Sequence, residues 1–116
     1  MIKKKLTGLG QAIYKMEFNN PTFNKGLNIT VRFGYKWAIL RPNMKFIIMP
    51  TGQEARVERV LICRFKDIPR EDLKYEHDPN CRNYETLRNY LYATYPEFNI
   101  NKENSIVTVI YFKLIK

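Results

Sequence analysis

The sequence is poor in the residues that most often hold metals or carry catalysis: its 116 residues include one histidine, two cysteines and one tryptophan. A structural zinc site needs about four ligands. His77, with Cys81 four positions on, supplies too few, so neither a metal nor a cofactor is expected. Disulfide scaffolds of this size use more cysteines, so Cys63 and Cys81 are read as free thiols. Long hydrophobic runs are missing too. The longest, near 46–49 and 106–110, are strand-sized and broken by Pro50, Thr108 and Lys113, far short of the roughly 20 apolar residues of a spanning helix. Gly8, Gly10 and Gln11 interrupt what would be the apolar core of a signal peptide. The expectation is a cytoplasmic protein with no membrane partner.

Acidic residues are scarce as well. Twenty Lys/Arg face eleven Asp/Glu, giving a net charge of +9. Residues 1–58 hold ten cations against three anions, a balance of +7, whereas 59–116 hold ten against eight, or +2. Basicity gathered in one half favours a polyanionic partner, with nucleic acid the first candidate and an acidic membrane surface the second. No basic amphipathic helix supports the membrane reading.

What is present is strand-like. Leu27, Ile29, Val31 and Phe33 fall on one side of a pleat, and Asn28, Thr30 and Arg32 on the other. A strand at 45–49 follows the turn Arg41-Pro42-Asn43 and is closed by Pro50-Thr51-Gly52. From 55 to 66 the chain alternates again, with Ala55, Val57, Leu61, Cys63 and Phe65 on one face; Val60 and Ile62 make the other face partly apolar, which predicts a long central strand that bends. Asp67 as cap and Pro69 in the first turn predict a short helix through Leu73. Asn83 caps a longer helix carrying Tyr84, Leu87, Leu91 and Tyr95, which Pro96 stops. A last strand over 106–114 is apolar on both faces and belongs in the middle of a sheet.

Residues 1–23 are the least patterned. Leu6, Leu9, Ile13 and Met16 have helical spacing, whereas Ala12, Tyr14, Met16 and Phe18 alternate like a strand; Lys3-Lys4-Lys5 reads as a flexible basic tail, and 19–22 as a turn. The whole chain, 1–116, is expected to form one α+β domain: a small mixed or antiparallel β-barrel, partly closed, with helical insertions.

Four segments, in order, resemble the ASCH domain of the PUA-like superfamily: GLNITVR at 26–32, RPNMKFI at 41–47, 55–60 with FKDIP at 65–69, and the helix ending at Tyr95-Pro96 followed by 106–112. Together they cover roughly residues 24–114. The resemblance implies a PUA-like barrel that binds RNA or modified nucleosides. One branch, the bacterial acetylcytidine amidohydrolases, is similar in layout and uses a Lys/Thr/Glu catalytic set. Thr30 and Arg32 stand at matching strand positions, but Leu27 occupies the place of the lysine, the nearest lysine is Lys25, and the stretch after His77 reads Asp78-Pro79-Asn80-Cys81 where an acid is expected. Without that lysine and carboxylate, activation of a nucleophile and proton shuttling both lose their agents, so no catalytic residue is assigned.

The preferred expectation is therefore a noncatalytic module binding RNA or another single-stranded nucleic acid or nucleotide. Arg32 would fork onto a phosphate or base edge, with Thr30 supplying a hydroxyl. Lys25, Lys36, Arg41 and Lys45 would form a phosphate-binding rim at a groove open to solvent, with Tyr35 and Trp37 as stacking platforms. The alternative is a small amidohydrolase acting on acylated nucleosides such as acetylcytidine; it requires Lys25 to reach Thr30 and Glu76, Asp78 or Glu85 to line the same pocket. His77, between Glu76 and Asp78, is expected to be solvated.

Overall fold

The period-two segments form six strands, and the computed structural model describes residues 4–6, 12–19 and 22–115. The strands are β1 (Lys4–Leu6), β2 (Ala12–Glu17), β3 (Asn28–Phe33), β4 (Lys45–Met49), β5 (Glu54–Arg64) and β6 (Ile106–Leu114). They make one mixed sheet in the order β1-β2-β4-β5-β6-β3, antiparallel except where β2 runs parallel to β4. The helices α1 (Tyr84–Thr94) and α2 (Phe98–Asn101) lie between β5 and β6 in the chain, together with 3₁₀ turns at Phe65–Asp67 and Arg70–Tyr75.

Among the described residues the sheet curls but does not close by strand pairing, with β1 and β3 as its two edges. Two hydrophobic clusters result, one on each face. Ile29, Val31, Val107 and Val109 pack against Leu87 and Leu91 of α1 and Phe98 of α2. Inside the curl, Met16, Phe18, Trp37, Phe46, Val57 and Phe112 pack together. β6, apolar on both sides, feeds both clusters from an interior place between β5 and the edge strand β3, off the edge as its composition predicts.

The predicted bend in β5 is a bulge between Val57 and Arg59. It inverts the alternation: Ala55 and Val57 point into the curl, whereas Leu61 and Cys63 pack on the helical side. The single shared face read from the sequence is therefore two half-faces, because an extra residue shifts the pleat. The helix over 84–94 is built as expected. Asn83 Oδ1 accepts from the Thr86 N–H at 2.9 Å, and the chain leaves helical geometry at Tyr95 before Pro96.

Three expectations need correction. Asp67 does not cap a helix through Leu73; it ends one 3₁₀ turn, and the next starts after Pro69 without a side-chain cap. Residues 12–17 form a strand, so the helical spacing of Ile13 and Met16 is accidental, and Met16 instead packs inside the curl. Lys4 and Lys5 are paired in β1 rather than trailing as a tail. Lys3 and the Asn20-Pro21 part of the proposed turn lie outside the described residues.

Candidate ligand cleft

The Asn28/Thr30/Arg32 face of β3 faces the inside of the curl, and this decides the chemistry available there. Asn28 and Thr30 lie opposite Phe112 and Ile110 of β6, and Thr30 is only 2 % exposed. The solvated polar face expected of this strand is thus an interior one. Asn28 is structural: its amide bonds the Asn24 and Gly26 carbonyls, and its Oδ1 accepts from the Asn24 N–H at 2.7 Å. Arg32 Nε donates to Thr30 Oγ1 at 3.0 Å, and the guanidinium lies 4.5 Å from the centroid of Phe18. Among the described residues, Nη1 and Nη2 make no hydrogen bond or ion pair. Burial pulls the Arg32 pKa below its ordinary value, against the opposing influence of Tyr95, Glu76, Tyr90 and Glu17; an arginine nonetheless keeps its charge.

Across from β3 stands a segment the strand pattern does not reveal. Glu76 forms a parallel bridge with Ile29, and the His77 N–H donates to the Ile29 carbonyl at 3.0 Å. Arg82 holds this segment in place, with Nε on the Glu76 carbonyl at 2.9 Å and Nη2 on Asn24 Oδ1 at 2.8 Å. Glu76 is 2 % exposed, and its Oε1 takes both the Asp78 N–H (3.1 Å) and His77 Nδ1 (2.7 Å). His77 is therefore not free in solvent: its ring also packs edge-on to Phe18 at 4.8 Å. A proton on Nδ1 serves the carboxylate.

These groups enclose an inner cavity of about 200 Å³, lined by Thr30, Arg32, Glu76, His77, Tyr90 and Tyr95 among others. Glu17 and Asp78 line it too, so its wall carries both signs of charge and is not the uniformly basic, open groove expected from the sequence. Burial raises the Tyr95 pKa. Cys81, at the cavity wall, has its thiol pushed up to about 12 by burial and by Glu76 and Asp78, so it is no nucleophile at neutral pH. An outer cavity of about 530 Å³ adjoins the inner one, sharing Glu17, Arg32 and Tyr95 and adding Lys15, Lys36, Trp37 and Glu97, so three cations face two acids there.

The expected site residues separate into groups. Thr30 and Arg32 meet in the inner cavity, and Arg32 with Lys36 and Trp37 in the outer. Trp37 is largely core, packed in the inner cluster, so only its edge is available to a ligand. Lys25, Tyr35, Arg41 and Lys45 line neither cavity. Tyr35 is 70 % exposed, and Arg41 uses Nη1 on the Ala38 and Leu40 carbonyls. His77, Tyr90 and Tyr95 were not assigned to the site from the sequence, and Glu76 and Asp78, which do line the inner cavity with Thr30, were named only as candidate carboxylates of the alternative reading. Among the described residues, no group of three or more His, Cys, Asp or Glu side chains is placed to hold a metal ion, and no helix is long and apolar enough to cross a membrane.

The curled mixed sheet with helices between β5 and β6 has the fold of a solved ASCH domain. Two solved structures are similar to it. The ASCH domain from Lactobacillus crispatus JV V101 superposes with a TM-score of 0.55 at 12% identity, over 75% of this chain and 63% of that one. The hypothetical protein PH0355 superposes with a TM-score of 0.59 at 17% identity, over 78% of this chain and 83% of that one. This chain thus spans less than two thirds of the length of the Lactobacillus protein. No family model and no curated protein matches the sequence.

Proposed function

We propose that this protein is a single-stranded RNA- or nucleotide-binding module of ASCH type, taking one base into the inner cavity with the adjoining phosphate in the outer. One observation carries the reading: Arg32 and Glu76 line the same cavity, both largely withdrawn from water, yet they form no ion pair with each other. Such a pair, desolvated and apart, is costly until something bridges it. A base edge, with acceptors for Arg32 and N–H donors for the carboxylate, suits that bridge, and a phosphate beside Glu76 does not. Lys15 and Lys36 at the outer cavity supply the phosphate contact, and the net charge of +9 supplies long-range attraction.

Titrating a labelled RNA oligomer and free mononucleotides at two salt concentrations tests the reading. Mononucleotides should bind and compete with the oligomer, and Arg32→Ala should weaken both. Mononucleotide binding that ignores Arg32 would remove the cavity from the mechanism.

A second reading has one observation in its favour, since Thr30 and Glu76 share the inner cavity as an amidohydrolase would need. Against it, Lys25 is exposed and lines neither cavity, and the Thr30 hydroxyl already accepts from Arg32. Incubation with acetylcytidine separates the two: release of cytidine above the buffer rate would favour hydrolysis.

A further inference from the structure

The cations that the cavities leave out gather elsewhere. Lys45 on β4 stands in register with Arg56 on β5, and Arg56 stands in register with Lys113 on β6. The neighbouring residues Phe46, Ala55, Val57 and Phe112 are buried inside the curl, so the alternation of the pleat sends Lys45, Arg56 and Lys113 to the outer face. Adjacent strands lie about 4.8 Å apart, so the row sets three like charges side by side. Lys45 and Lys113 are exposed and Arg56 partly so. Arg56 Nη1 donates to the Asn43 carbonyl at 3.0 Å, which ties the row to the turn that carries the exposed Arg41. Two acids lie nearby. Glu58 Oε1 is 3.9 Å from Lys113 Nζ, and Glu54 pairs with Ile47 one row along.

Like charges directly opposite one another weaken a sheet, and an exposed ion pair at 3.9 Å offsets little of that. A polyanion lying across the strands would relieve the repulsion and release its own counterions. We infer that the outer face of β4, β5 and β6 is a docking strip for the phosphate backbone of a single-stranded nucleic acid, distinct from the two cavities. The identity of the polyanion rests on the nucleic-acid reading above; the strip itself rests on strand register. An anionic bilayer is the weaker occupant, because the cations project from a sheet and not from an amphipathic helix able to insert.

The test compares the full-length protein with the triple variant Lys45→Gln/Arg56→Gln/Lys113→Gln. A double variant, Lys45→Gln/Lys113→Gln, keeps the Arg56 bond to the turn and guards against misfolding. Binding of an oligouridylate of about 15 nucleotides is followed by fluorescence anisotropy from about 50 to about 200 mM salt, and UMP binding is measured in parallel. At roughly 0.7 per phosphate contact, the triple variant should lower the slope of log affinity against log salt by about 2, and the double variant by about 1.4. UMP affinity should not change. An oligomer slope that the triple variant leaves unaltered, with UMP still bound, overturns the strip and spares the cavity. A slope lowered as expected in a protein that does not bind UMP supports the strip and removes the cavity. Wild-type protein that binds the oligomer without salt dependence overturns the strip, as does a triple variant that loses phosphatidylserine vesicles while keeping the full RNA slope.

Discussion

The Arg32 guanidinium lies 4.5 Å from the centroid of the Phe18 ring, which joins the edge strand β3 to the chain just past the end of β2, on the far side of the sheet. That contact draws the curl together without strand pairing and sets the floor of the inner cavity. Phe18 also meets Phe112 and His77, so one ring touches β6, the cation and the imidazole paired with Glu76.

Arg32→Ala removes the stack, the bond to Thr30 and the cavity's cation. Unfolding in urea should show a loss of about 2–5 kcal/mol, the sum expected of a partly buried cation–π contact and a charged hydrogen bond. RNA affinity should fall about tenfold or more. Arg32→Lys keeps the charge but not the fork, so it should retain the salt dependence of binding while losing affinity.

Glu76→Gln keeps the shape of the side chain and removes its charge. Nucleoside affinity should fall, because a base N–H loses its carboxylate acceptor. Inorganic phosphate should gain affinity for the same cavity, because one of the three acids lining it is gone. Isothermal titration with each ligand separately reads the two changes; movement of both in the same direction would contradict the assignment of Glu76 as a base acceptor.

Arg82 touches none of the proposed ligand but fixes Glu76 and Asn24 through bonds of 2.9 and 2.8 Å. Arg82→Ala should cost about 1–3 kcal/mol of stability and weaken nucleotide binding, while the salt slope for an oligomer stays constant. Arg82→Lys should recover less than half of the lost affinity, since one ammonium does not reach both acceptors.

Stability should fall on the alkaline side. The Cys81 thiol is raised from 9.0 to about 12 and the Tyr84 phenol from 10.0 to about 12, mainly through burial; Tyr111 and Tyr95 are raised as well. Above the unfolded values the unfolded chain releases protons that the folded protein retains, so unfolding becomes more favourable as pH rises. Tm measured between about pH 8 and about pH 11 should decline from near pH 9 upward, and Cys81→Ala should flatten the first part of that decline. Alkylation of Cys81 by iodoacetamide near neutral pH should be slow in the folded protein and fast in urea.

Much of the fold was legible along the chain. The apolar double face of 106–114 placed β6 inside the sheet and not at its edge, Asn83 and Pro96 bracketed α1, and the cysteines were read as unpaired, as found. These features depend on neighbours within a few residues, where period, capping and the φ limit of proline act directly. The site was legible only in part. Thr30 and Arg32 stood out by alternation on one strand, but Glu76 reaches that strand from 47 residues beyond Ile29, the residue it bridges. Nothing in the local pattern of 75–82 marks a strand partner.

What the sequence alone determined is the alternation of residues along an unbroken strand, the extent of β4, β6 and α1, and how the charge is divided along the chain. Tertiary structure decided what lies against each side. The β5 bulge inverted one alternation, the curl turned the Asn28/Thr30/Arg32 face inward, and pairing register set Lys45, Arg56 and Lys113 in a row. The reason is physical: side-chain direction follows from the pleat of a single strand, whereas the neighbour it meets depends on how distant segments bury their apolar surface together.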